Sequence, residues 1–248
     1  MPKNESLLFL KTLKEDGIEQ VHVPRQSSQS VILSPFGAKN LKRDPSATPQ
    51  DDEIRSKLST AAYTGISELR GTIEKCKLCA ELAKKRHKVV FGSGSTTAKL
   101  VFVGEAPGAD EDAQGLPFVG RAGQLLTKII EAMGLTRDQV FICNVLKCRP
   151  PENRQPAPKE VDNCRPYLKR QLELIRPKVI VALGNHAVRA LLQKEDGISG
   201  LRGTFQKYEG IPVMCTYHPA YLLRSPGEKR KVWEDMKKVM KLLEQAHG

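Results

Sequence analysis

With 248 residues, 40% of them apolar and 5% aromatic, the chain is long enough for one packed domain and an appendage. No stretch approaches the roughly 18 apolar residues that span a bilayer, and Met1-Pro2-Lys3-Asn4-Glu5 lacks the apolar core and cleavage site of a secretory leader. A cytoplasmic, monomeric protein with no membrane partner is therefore expected. The formal net charge of +12 is unevenly spread: residues 1–75 carry 11 basic and 10 acidic side chains, whereas residues 76–248 carry 29 and 18. A basic surface on the second part suits a polyanion, because neutralising phosphates releases their counterions.

In chain order, Leu7, Leu8, Leu10 and Leu13 give residues 4–16 the pattern of a short amphipathic helix. Residues 24–52, rich in Ser, Pro, Gln and Asn, read as a linker, and a second helix is predicted over about 53–75. The expected division is an N-terminal appendage, 1–75, and a folded domain, 76–248. Gly92 to Thr97 is glycine-rich but lacks the Gly-Lys-Ser/Thr ending of a phosphate-binding loop and reads as a turn.

From residue 99 the rhythm becomes strand, loop, helix. Four apolar runs, 100–104, 140–145, 179–183 and 211–217, have the character of buried parallel strands. Helices are predicted over 124–133, where Leu125, Leu126, Ile129, Ile130 and Met133 share a face ahead of Gly134, over 159–175 and 185–192, and after Ser225-Pro226. This alternation predicts an α/β fold, a three-layer sandwich with a central four-stranded parallel sheet flanked by helices. Ligands of such sheets bind beyond the carboxyl ends of the strands. Two loops stand there, Gly104-Glu105-Ala106-Pro107-Gly108 and His218-Pro219-Ala220-Tyr221-Leu222-Leu223-Arg224.

Six cysteines in a reducing compartment are more readily metal ligands or small core residues than disulfides. Cys76 and Cys79 form a close pair, and Cys148 and Cys164 supply two further thiolates. Such a quartet closes a tetrahedral zinc site or holds a 4Fe-4S cluster, and spacing alone leaves both open. Cys143 and Cys215, inside apolar strands, read as core residues.

The run from Gly104 to Asp112, Gly115-Leu116-Pro117-Phe118-Val119-Gly120, Asn144-Val145-Leu146-Lys147-Cys148-Arg149-Pro150-Pro151 and the seven-residue motif at His218 closely resemble the family 4 uracil-DNA glycosylases. The resemblance runs from about Cys76 to the last helix and leaves out residues 1–75. It implies a 4Fe-4S cluster on Cys76, Cys79, Cys148 and Cys164, and a partner in uracil-containing DNA, single- or double-stranded. It also implies a monofunctional repair enzyme that flips uracil from the stack and hydrolyses its N-glycosidic bond, leaving an abasic site. A non-catalytic DNA-binding protein on the same scaffold is the alternative, and an intact Asn144, Phe118 and His218 favour the enzyme.

By the same resemblance, the main chain around Glu105, Ala106 and Pro107 contacts uracil, Phe118 stacks on it, Asn144 pairs with N3–H and O4, and His218 donates toward O2. Leu222, Leu223 and Arg224 form the tip that fills the gap in the DNA. Family 1 enzymes carry an aspartate where this chain has Ala106. Glu105 is the first candidate for the missing water-orienting carboxylate, with Glu111 the second or a structural brace of the loop.

Overall fold

The structure is a computed structural model describing residues 63, 65–193 and 197–245. The helix predicted over 4–16 and the linker over 24–52 lie outside the described residues. Of the second predicted helix, Ile66–Glu74 (α1) is described, with Leu69 and Ile73 buried. A six-residue helix, Ala80–Lys85 (α2), then precedes the first short strand, Ser93–Gly94 (β1).

The central strands are Leu100–Gly104 (β2), Phe141–Asn144 (β3), Val179–Leu183 (β4) and Ile211–Thr216, the last being β6 because Phe205–Tyr208 (β5) comes before it. The sheet order is β1-β3-β2-β4-β6-β5. Strands β3, β2, β4 and β6 run parallel, as their apolar runs predict, whereas β1 and β5 pair antiparallel on the two edges. This corrects the expected four-stranded sheet to six strands. The presumed turn at residues 92–97 contains β1, whose Ser93 and Gly94 pair with Ile142 and Phe141.

Alternation along the strands divides the core. Val101, Val103, Phe141, Cys143, Ile180, Ala182, Val213 and Cys215 point to one face, where they meet α1, α2, Pro158–Ile175 (α5) and Asn185–Leu192 (α6). Leu100, Phe102, Ile142, Val179, Val181 and Met214 point to the other. There they meet the apolar stripe of Arg121–Ala132 (α4) and that of Lys229–Gln245 (α9), which contributes Val232, Trp233, Met236 and Val239. The result is helices over both faces of one sheet. Burial of both faces explains why the central strands are nearly all apolar.

Short helices complete the chain: Ala109–Gln114 (α3), Ile198–Leu201 (α7) and Pro219–Arg224 (α8). Helix α8 replaces the loop expected after His218, with Pro219 at its first position. No described helix is long and apolar enough to cross a membrane.

Candidate active site

Parallel pairing of β2 with β3 sets Gly104 beside Asn144 at the carboxyl edge of the sheet. The pairing continues into the loops, where Val145 N–H donates to Gly104 O at 2.9 Å and Leu146 N–H to Glu105 O at 3.0 Å. A Cβ at residue 104 would overlap Asn144 Oδ1 and come within 2.6 Å of Phe118 Cζ, so only glycine lets these side chains meet above it. Asn144 is 2% exposed, and its Oδ1 is buried without a hydrogen-bond partner. Leaving such an oxygen unpaired costs about 1–3 kcal/mol, and a ligand N–H would recover it.

Phe118 has φ 52°, a left-handed conformation a phenylalanine adopts only under constraint. Glu111 supplies that constraint. Its Oε1 accepts from Val119 N–H at 2.9 Å and Gly120 N–H at 3.0 Å, and its Oε2 from Gly108 N–H at 3.1 Å. One carboxylate thus ties the loop after β2 to the loop bearing Phe118. Arg137 adds a second hold, its Nη2 donating to Pro117 O at 2.8 Å. On the helix side a Cβ at Gly123 would overlap the Phe118 carbonyl, so α4 closes over the loop only with glycine there.

His218 caps α8, its Nδ1 accepting from Ala220 N–H at 3.1 Å. A nitrogen that accepts carries no proton, so the neutral ring has its proton on Nε2. Burial, aided by the nearby Arg224 guanidinium and opposed by Glu111, pushes the imidazole pKa down to about 4. The ring is therefore a neutral donor at physiological pH. It lies 5.5 Å from the Phe118 ring, tilted by 32°. Gly184, at φ 85°, allows the approach, since a Cβ there would sit 2.9 Å from His218 Cβ.

Glu105 is differently placed. Its side chain is 31% exposed, and its nearest ionic partner is His186 Nε2 at 3.9 Å. Burial raises its carboxyl pKa and the histidine opposes that rise.

The cysteine quartet gathers where α1, α2, the 145–150 loop and α5 meet. Cys79 feels Cys76 and Cys148, and Cys164 feels Cys148 and Cys76. Burial is the main cause of the raised thiol pKa values, that of Cys79 reaching about 11. Two donors address the sulfurs: Arg86 Nη1 reaches Cys148 Sγ at 3.0 Å, and Asn163 Nδ2 reaches Cys79 Sγ at 3.5 Å. Among the described residues, no three His, Cys, Asp or Glu side chains are drawn together tightly enough to hold a metal ion. Cys143 and Cys215 are fully buried core residues.

The predicted tip needs a correction. Leu222 is 1% exposed and packed in the core, because the helical turn of α8 directs it inward. Leu223, at 39%, and Arg224 face outward, as does Tyr221.

Comparison with known proteins decides the family. The model of the uracil DNA glycosylase superfamily matches residues 91–237. The type-4 uracil-DNA glycosylase of Archaeoglobus fulgidus is 46% identical over 178 residues, covering 68% of this chain and 89% of that protein. Those of Sulfurisphaera tokodaii and Thermotoga maritima are 44% and 45% identical, covering 71% and 67% of this chain and 84% and 88% of theirs. The chain belongs to the type-4 family of the uracil DNA glycosylase superfamily.

Within this type-4 chain, two residues escape sequence reasoning. Lys147 is 1% exposed, and its Nζ donates to the Asn144 carbonyl at 2.7 Å while Cys143, Cys164 and Cys148 surround it. It joins the cysteine corner to Asn144, and although it stands inside the Asn144–Pro151 motif, nothing in the sequence marks its side chain as turned inward. His186 opens a predicted helix and carries no motif. Only the fold reveals that the β4 turn brings it to Glu105.

Proposed function

We propose that this protein is a DNA repair glycosylase that flips uracil out of single- or double-stranded DNA and hydrolyses its N-glycosidic bond, leaving an abasic site. The observation that carries the reading is the meeting over Gly104 of Asn144, whose Oδ1 lacks a partner, and Phe118, whose ring lies beside that of His218. A planar ring with adjacent N–H and carbonyl groups fits this trio. Phe118 covers its face, Asn144 Oδ1 takes N3–H and the amide N–H donates to O4. Cytosine reverses both polarities and leaves buried groups unpaired.

His218 acts as a neutral donor. As the glycosidic bond breaks, negative charge collects on the uracil O2, and the Nε2–H is aimed at it without first having to lose a proton. A protonated imidazole would surrender a proton on the way, whereas the neutral one stabilises the departing base by hydrogen bonding alone. Glu105, ionised and partly open to solvent, balances the cationic sugar and orients water. Glu111, engaged by three main-chain donors, serves as the brace that positions Phe118. Leu223 and Arg224 fill the gap in the DNA, with Leu222 anchoring them from the core.

Cys76, Cys79, Cys148 and Cys164 would hold a 4Fe-4S cluster. Their mutual proximity and the two sulfur-directed donors support this, since clusters are tuned by hydrogen bonds to their sulfurs. The cluster would supply a structural tie between α2 and α5, as base hydrolysis transfers no electron. Residues 76–248 form the glycosylase domain and 1–75 an appendage, with α1 packing on the domain through Leu69 and Ile73. The protein works as a cytoplasmic monomer.

Incubating purified protein with a uracil-containing oligonucleotide, followed by alkali cleavage, tests the reading. Strand scission at the uracil and none at thymine or cytosine is the expected result, and an uncut uracil strand would overturn it.

A further inference from the structure

A cleft of about 340 Å3 opens beside Glu105, and it is distinct from the base pocket. Val145, Val161 and Ala190 wall it, residues of the core face opposite the one that carries Phe118. Glu105 follows Gly104, over which the base pocket lies, and also lines the cleft. It therefore stands on the rim between two spaces.

His186 reaches the same rim from the first turn of α6, where Gly184 turns the chain out of β4. Its Nε2 lies 3.9 Å from Glu105 Oε2, and the two side chains are 33% and 31% exposed. That separation is too long for a direct hydrogen bond. It suits one shared water, because two hydrogen bonds of ordinary length reach across up to about 5.6 Å. The other charged groups facing the cleft are Arg189 on α6 and Asp162 and Arg165 on α5, the last two paired at 2.6 Å. Among the described residues the one other acid at the cleft, Asp162, is thus already engaged by its own arginine.

We propose that His186 is a positioning residue for Glu105, holding the carboxylate at the rim and completing with it the seat of the water that attacks the sugar. This rests on the reading of the protein as a uracil-DNA glycosylase with Glu105 at its reacting centre. In the step itself the C1′–N1 bond breaks and its electron pair leaves with uracil. The water oxygen then bonds C1′ and its proton passes to Glu105, and from there to solvent. Water arrives through the cleft while the base occupies the pocket on the other side, so the two do not compete for one space. The electrostatic pull of His186 also favours the ionised form of Glu105.

Single-turnover excision of uracil from DNA, measured across pH alongside DNA affinity, tests the proposal in the parent, His186→Gln, Glu105→Gln and the double variant. His186→Gln should lower the rate about 3- to 10-fold, leave affinity for uracil-DNA unchanged and move the acid limb of the rate profile to higher pH. The sign follows because His186 opposes the rise in the Glu105 pKa, so without it the carboxylate takes its proton earlier as pH falls. The double variant should excise no more slowly than Glu105→Gln alone, since the histidine acts only through the carboxylate. A parent-like rate and profile in His186→Gln, with Glu105→Gln impaired, would overturn the role of His186 and leave that of Glu105 standing. Losses that multiply in full in the double variant would overturn it as well. A parent-like rate in Glu105→Gln would overturn both this proposal and the assignment of Glu105, and an inactive parent would overturn the glycosylase reading itself.

Discussion

Glu105 and Glu111 stand six residues apart in one stretch of chain, yet the two ends of that stretch are built for different work. At the Glu111 end three main-chain N–H groups close on one carboxylate and hold Phe118 in a left-handed turn. At the Glu105 end the carboxylate is a third exposed, faces a cleft and has a histidine at 3.9 Å. A carboxylate committed to three main-chain donors keeps little capacity to orient a water, and one at a rim keeps most of it. Environment therefore separates the brace from the proposed reactant where residue type does not.

The largest effect is expected outside this pair, in the framework that supports both. Replacing Cys164, buried in α5, with serine should leave little folded, coloured protein if the quartet holds the proposed cluster, because one of its four ligands would be lost. Iron content and circular dichroism check this. A stable, fully active and colourless variant would show that the cysteine corner supports the fold without a cluster.

Next come the two carboxylates themselves. Glu105→Gln should cost about 10²- to 10³-fold in single-turnover rate with unaltered thermal stability. Glu111→Ala strips three main-chain donors of their acceptor and should destabilise the fold by about 2–4 kcal/mol, with the rate loss following from a displaced Phe118. Opposite assignments of rate and stability would invert the comparison.

Asn144→Asp sharpens the account of the pocket. Removing the amide donor while keeping an acceptor should lose about 10²-fold in uracil excision, with a slight gain for cytosine. Unchanged excision of uracil would remove Asn144 from base recognition.

The last effect unfolds only across a range of pH. The imidazole of His218 is held down to about 4 in the fold, against about 6.5 when unfolded. The unfolded chain therefore binds the extra proton between those values. The contribution of His218 to stability is fully present above about pH 6.5 and is lost as pH falls toward 4, up to about 3 kcal/mol in all. Denaturation of the parent and of His218→Asn should converge across that window. Parallel curves would mean that His218 is not held neutral by its surroundings.

Much of this was legible in the sequence, for identifiable physical reasons. The four parallel strands announce themselves because both faces are covered and almost every side chain must be apolar. Strand β1 has only two residues, too few for any periodicity, and β5 reads Phe205-Gln206-Lys207-Tyr208 with its first three residues not buried, so neither carries the signal of a core strand. The loop residues Gly104, Phe118, Asn144 and His218 stand in ordered motifs, which is why they were found together. The division of labour between Glu105 and Glu111 depends on main-chain N–H groups, which every residue but proline possesses and no sequence pattern marks. Leu222 was misplaced for a related reason: without the helical turn of α8, three consecutive tip residues all look available. His186 depends on where β4 ends relative to β2, a matter of sheet order alone.

The central claim is that a neutral, half-buried His218 acts on the leaving uracil in the transition state and contributes little to holding DNA. Single-turnover excision measured beside equilibrium DNA binding for the parent and His218→Ala tests it most directly. The account predicts a rate lower by about 10²- to 10³-fold with affinity for uracil-DNA changed by less than about 3-fold. A variant that excises uracil at the parent rate, or one whose loss lies wholly in DNA binding, would contradict it.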